Sequence, residues 1–222
     1  MDIDITRHLG MVRREAGVRE HEGRPMRVVV ASRTYDSDIE DVWDALTNPE
    51  RIPRWFMPIE GELRVGGRFS LKGNASGEIQ RCEQPKHLTV TWEMHGDTSW
   101  VKVELSKAES AGEDDATTLR LEHMAPVPDD FWEQYGPGAV GIGWELGLMG
   151  LAEHLAGMPA VDHEVAEKWP TTDDGRKYVE HSSEGWCAAS IAGGTPEASA
   201  KAGAARVTAF YTGQQETAPP TD

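Results

Sequence analysis

The stretch HLTVTWEMHGDTSWVKVELS, His87–Ser106, alternates large apolar and polar residues on both sides of a Gly-Asp pair. A side-chain period of two marks a half-buried strand, and two such runs joined by a tight turn read as an antiparallel hairpin. The pattern continues outward. GGRFSLKGN, SGEIQRCE and TTLRLEHM bring the candidate strands between Gly61 and Met124 to five, linked by Gly73-Asn74, Gln84-Pro85-Lys86 and the acidic loop SAGEDDA. Connections of hairpin size make the sheet an antiparallel meander.

Parity places Phe69 and Leu71, Leu88, Val90, Trp92 and Met94, Val101, Val103 and Leu105, and Leu119, Leu121 and His123 on one face. Arg68, Lys72, Lys102, Glu104, Arg120 and Glu122 fall on the other, which reads as a solvent face. In SGEIQRCE, Ile79 and Cys82 have opposite parity, so only a bulge turns them to the same side, and the direction of Arg81 depends on it.

Upstream, residues 3–21 read as an amphipathic helix carrying Ile5, Leu9, Val12 and Ala16, closed by Gly23-Arg24-Pro25. MRVVVASRTY is strand-like, and Asp36-Ser37-Asp38 offers cap residues for the helix IEDVWDALT, whose Ile39, Val42, Trp43 and Leu46 share one face. Asn48-Pro49 ends that helix. In TNPERIPRWFMP, Thr47–Pro58, no single period buries Trp55, Phe56 and Met57 together. Trp55 is expected inward, with Phe56 or Met57 at a rim.

After PVPDDFWEQYGPG a long helix is expected from about Ala139 to Leu155, its stripe formed by Val140, Trp144, Leu148, Leu151 and Leu155, with Glu145 toward solvent. Gly143, Gly147 and Gly150 beside the stripe cost a helix up to ~1 kcal/mol each relative to alanine. Close approach or space kept for a ligand would compensate. From Met158 onward the chain reads as a second small unit. Thr172-Asp173-Asp174 caps a helix to about Ala192, Gly193-Gly194 breaks it, and Thr195-Pro196-Glu197 starts another that carries Val207, Phe210 and Tyr211. Those helices have three places to dock: the sheet's outer face, the cavity mouth, or a second copy, so monomer and dimer are both open. The resulting division is 1–25 N-terminal helical extension, 26–157 main domain, 158–213 C-terminal helical extension and 214–222 disordered tail.

Strands followed by helices make the class α+β. The formal charge of −16, from 38 acidic and 22 basic residues, argues against nucleic acid or an anionic membrane surface as partner. Two cysteines without paired spacing, and an opening segment rich in acids and arginines, fit a reduced, cytoplasmic protein. Glu145, Glu153 and His154 interrupt the most apolar run, so no membrane span is expected.

Six pieces in order resemble a known family: VWDALTNPE (Val42–Glu50) followed by Trp55-Phe56, Gly66-Gly67-Arg68-Phe69, Gly77-Glu78-Ile79, Leu88–Trp92, Thr118–His123, and Gly143-Trp144 with Leu148, Leu151 and Leu155. This chain resembles the homologues of the activator of heat-shock protein 90 ATPase, in the START-like (SRPBCC) helix-grip superfamily that also holds polyketide cyclases, lipid-transfer domains and the birch pollen allergen. The resemblance covers residues 26–157 and implies a curved antiparallel sheet wrapped around a long C-terminal helix, with a cavity between them. It implies no fixed chemistry.

Motifs for chemistry are missing. The sequence has no GxSxG, no P-loop, no GxGxxG after a strand and no HExxH, and its eight histidines lack ligand spacing, so neither a metal site nor a cofactor is expected. His123, on the apolar face, is the single acid–base candidate; a core histidine donating to a carbonyl is the plainer reading. The function expected first is a non-catalytic binder of a small apolar or amphipathic molecule, through Trp55, Phe56, Phe69, Trp92, His123, Trp144 and Leu148, with Phe131 and Trp132 as a lid. The alternatives are a chaperone cofactor or stress-response protein, as the family's name implies, and an enzyme of the polyketide cyclase or aromatase type using His123.

Overall fold

The computed structural model describes residues 3–108 and 116–214. The acidic loop after Ala108 and the tail from residue 215 lie outside the described residues. Eight strands form one sheet: β1 (Val12–His21), β2 (Arg24–Tyr35), β3 (Ile59–Gly61), β4 (Arg68–Leu71), β5 (Ser76–Glu83), β6 (His87–Met94), β7 (Asp97–Lys107) and β8 (Thr117–Ala125). Every pairing is antiparallel, in the order β1-β2-β8-β7-β6-β5-β4-β3. The helices are α1 (Ile39–Thr47), α2 (Asp129–Tyr135), α3 (Gly138–Leu155), α4 (His163–Lys168), α5 (Asp173–Ala192) and α6 (Glu197–Tyr211). This is the α+β helix-grip arrangement: α3 lies across one face of the sheet, tied to β2 where the Tyr35 hydroxyl donates to the Leu148 carbonyl at 3.1 Å.

The meander forms as its alternation dictates. Phe69, Leu71, Val90, Val101, Val103, Leu105, Leu119 and Leu121 are all buried in one core. The β5–β6 register slips between Ile79 and Arg81, which turns Ile79 and Cys82 to the same side. Arg81 points out and pairs with Glu83 at 2.8 Å. On the opposite face Glu122 is buried rather than solvated, covered by Arg19 and by Arg120 at 2.9 Å. α1 starts as expected, with the Asp38 carboxylate accepting from the Asp41 N–H at 2.7 Å.

The helix expected over residues 3–21 does not form. A short 3₁₀ turn, Ile5–Arg7, precedes strand β1, which folds back on β2 through a two-residue turn with Glu22 at φ 50° and Gly23 at φ 76°. Val12 and Ala16 fit a helical spacing and a strand face equally well, and the residue between them on that face is Arg14. Its guanidinium makes a bidentate pair with Glu145 of α3, at 2.6 and 2.7 Å. Glu145, expected toward solvent, is therefore 1% exposed. Val140, expected on the buried stripe, is exposed, and Gly141, Ile142, Glu145, Leu148, Met149 and Leu151 form the inward face.

The C-terminal helices extend the layer that α3 begins. α5 packs on β1 and α3. Val179, Trp186 and Ala189 of α5, with Val207 of α6, share one core with the sheet. A Cβ at Gly141 would stand 2.1 Å from Trp186 Cε2, so glycine is what lets the indole reach α3.

Candidate functional site

Between the sheet and α3 lies a cavity of about 340 Å³. Its floor is Phe69, Leu71, Val90, Val101, Leu119 and their neighbours on the sheet, and Leu148 and Trp144 of α3 form its roof. The turn Ile52–Arg54 delivers Trp55 and Phe56 to its side. Trp55 is fixed by its Nε1–H, which donates to the Ala45 carbonyl at 2.9 Å. Its ring stacks on Phe56 at 5.4 Å, and Phe56 stacks on Trp144 at 6.2 Å. The lining is aliphatic and aromatic, with Thr47, Arg64 and Cys82 as its polar members. Arg64, Val65 and Cys82 are exposed, so the cavity reaches solvent there, and Arg64 pairs with Glu62 rather than pointing inward.

Six of the expected residues, Trp55, Phe56, Phe69, Trp92, Trp144 and Leu148, surround this cavity. His123 and Phe131 do not. They line a second, more open chamber of about 560 Å³, whose walls include Phe56, Met57, Trp92, Trp144 and Tyr211. Phe131 is 47% exposed at its edge. Trp132 is no lid: it is buried, with the Arg27 guanidinium 5.1 Å from its ring, because α2 packs on α6.

The tautomer of His123 follows from its partners. Trp144 Nε1–H, a donor only, donates to His123 Nδ1 at 3.0 Å. The imidazole proton is thus on Nε2 and is donated to Ser99 Oγ at 2.8 Å, while the Ser99 hydroxyl donates to the Trp92 carbonyl at 2.9 Å. Burial pushes the His123 pKa down to about 4. Both ring nitrogens are committed to the fold, and the ring is neutral at physiological pH. In this arrangement neither ring nitrogen has a free lone pair or proton.

A second polar cluster lies beyond α3. Arg33 Nη2–H donates to His8 Nδ1 at 2.9 Å, so His8 Nε2–H donates to Glu153 Oε1 at 2.9 Å. Burial, then the adjacent Arg33 charge, lowers the His8 pKa. No sequence pattern marks this cluster, since its members are scattered from residue 8 to residue 153. Among the described residues no group of three or more His, Cys, Asp and Glu could hold a metal ion, and no helix is long and apolar enough to cross a membrane.

The family described as activator of Hsp90 ATPase homolog 1-like protein matches residues 36–156. The chain belongs to this family. Among solved structures it is similar to CalU16 from Micromonospora echinospora, at 34% identity to the crystal structure, over 80% of this chain and 97% of that one, with a TM-score of 0.64. The solution structure of CalU16 gives 35% identity over 82% and 96%, with a TM-score of 0.66. MLL2253 from Mesorhizobium loti is similar at 27% identity over 59% and 97%, with a TM-score of 0.50. Among curated proteins none matches significantly. The family match ends at residue 156, whereas the likeness to CalU16 spans four-fifths of the chain and so reaches beyond the grip itself.

Proposed function

We propose that the protein is a non-catalytic binder that holds the apolar part of a small molecule in the cavity between the sheet and α3. The observation that carries this reading is a cavity of about 340 Å³, open to solvent on one side and lined by aliphatic and aromatic side chains, with its one charged residue, Arg64, turned out to Glu62. Such a volume lies within the range of small-molecule sites, and burial of apolar surface supplies ~25 cal/mol per Å² toward affinity. His123 supports the non-catalytic half of the reading, because its two nitrogens are occupied by Trp144 and Ser99.

Leu88 stands half-buried in the lining, near the cavity's open side. Leu88→Trp should fill the cavity and lower affinity for the apolar fluorophore N-phenyl-1-naphthylamine by about tenfold or more. Unchanged binding in a correctly folded variant would remove this cavity as the ligand site. The family's description favours one second reading, a cofactor of a chaperone ATPase; recovery of no chaperone in a pull-down, with an unaltered ATPase rate, would eliminate it.

A further inference from the structure

Phe56, Trp92 and Trp144 line both the inner cavity and the outer chamber, so one layer of aromatic side chains divides them. The two sides differ in chemistry. The outer chamber, about 560 Å³, is bounded by the β6–β7 turn, the loop after β8, α2 and the start of α3. Asn74, Asp97, Thr98 and Ser99 offer it hydrogen-bonding groups, and the side chains of Asn74, Asp97 and Thr98 are exposed, with no hydrogen-bond partner of their own among the described residues. No lysine or arginine lines it, and Asp97 does. The histidines that line it are His123, whose two nitrogens are already bonded, and the exposed His95, so an anionic group would meet the Asp97 carboxylate with no permanent cation to offset it.

Trp144 is the member of the divider that α3 carries. One hydrogen bond, to His123 Nδ1, and ring contacts with Phe56, Trp92 and His123 hold the indole. On the helix beside it, a Cβ at Gly143 would meet only the Tyr211 hydroxyl at 3.1 Å, and one at Gly147 only the Phe56 ring at 3.4 Å. Glycine at both places leaves open space to the sides of the indole, which along its own helix face has Val140 and Leu148 four residues to either side.

We propose that the inner cavity and the outer chamber are one bipartite site for an elongated, uncharged amphiphile, with its apolar part inside and a neutral hydrogen-bonding head outside. Trp144 swings aside to connect them. When it does, His123 Nδ1 loses its donor and becomes an acceptor for the head. This assignment rests on the reading of the inner cavity as a ligand site.

Three naphthalene probes separate the two ideas: N-phenyl-1-naphthylamine, which is apolar; dansylamide, which carries a neutral hydrogen-bonding head; and 1-anilinonaphthalene-8-sulfonate, which carries an anion. Val140, exposed on α3, lines only the outer chamber, so Val140→Trp fills that chamber without entering the core. It should raise the Kd for dansylamide by about tenfold, the worth of one or two hydrogen bonds, and leave N-phenyl-1-naphthylamine within about twofold. Thr98→Trp should do the same from the opposite wall, and far-UV circular dichroism checks that both variants fold. If either folded variant weakens both probes alike, or weakens neither, the bipartite site is overturned while the inner cavity stands. If the sulfonate binds wild type as tightly as dansylamide, the uncharged-head assignment is overturned. Failure of wild type to bind N-phenyl-1-naphthylamine, or of Leu88→Trp to weaken it, instead defeats the inner cavity as a ligand site.

Discussion

His123→Asn should remove part of the protein's sensitivity to acid, by an amount that the surroundings of the imidazole set. In the folded state burial holds the His123 pKa near about 4, against an ordinary value of 6.5. Between these values the unfolded chain takes up a proton that the folded protein refuses. The folded state is therefore unaffected by this group above about pH 6.5, loses stability as the pH falls toward 4, and loses no more below that. A gap of about 2.5 units, at 1.36 kcal/mol each, amounts to about 3 kcal/mol. The ring is 8% exposed, so solvent screens little of it. Asparagine does not titrate, and its carbonyl oxygen can still accept from Trp144 Nε1–H. Urea unfolding followed by circular dichroism, at steps from about pH 7.5 to about pH 4, gives the difference in stability between the two proteins. Carboxylates and the other histidines cancel in that difference. It should move toward the variant by about 3 kcal/mol across the range. A flat difference, or an imidazole seen by NMR to titrate near 6.5 in the folded protein, would refute the assigned network.

Glu145→Ala leaves the Arg14 guanidinium, 11% exposed at its side chain, without its carboxylate, and should cost about 3–5 kcal/mol in urea unfolding. Replacing both Arg14 and Glu145 with leucine should recover most of that, and a double variant no more stable than the single one would argue against a buried pair. Gly141→Ala places a methyl group 2.1 Å from the Trp186 ring and should lower Tm in spite of alanine's better helix propensity. Gly147→Ala, with only the Phe56 ring at 3.4 Å, should be neutral or stabilising by up to about 1 kcal/mol, so equal effects at the two positions would contradict the packing described.

The meander was legible because each of its strands buries one face and shows the other to water, and period two is what that leaves in a sequence. α1 was legible through Asp38, a local cap, and α3 through its apolar run. β1 was not, because the inward position between Val12 and Ala16 is Arg14, and its partner is 131 residues away. The same pair hid Glu145. A lone charged residue reads as solvent-facing until the opposite charge is known to lie across from it. Trp132 read as a lid because α2 is short and proline-bounded, whereas its covering helix, α6, is remote in sequence. At the cavity, Phe69 and Trp92 could be anticipated from parity and Trp144 and Leu148 from helical spacing, whereas Trp55 and Phe56 stood out because no single period buries them. The outer chamber could not be anticipated, since its polar members come from turns and loops that carry no period.

β1 lies against α5, and Val12 shares a core with Trp186 and Val207. The first strand and the last helix thus close the same apolar volume. On a ribosome, nearly the whole chain must emerge before that volume can be sealed, and until then the sheet's inner face has only α1, the segment of Trp55 and Phe56, and α3 to shield it. Contacts of such sequence separation slow folding and prolong the exposure of apolar surface. Chains cut short before α5 should therefore be the ones that aggregate during synthesis.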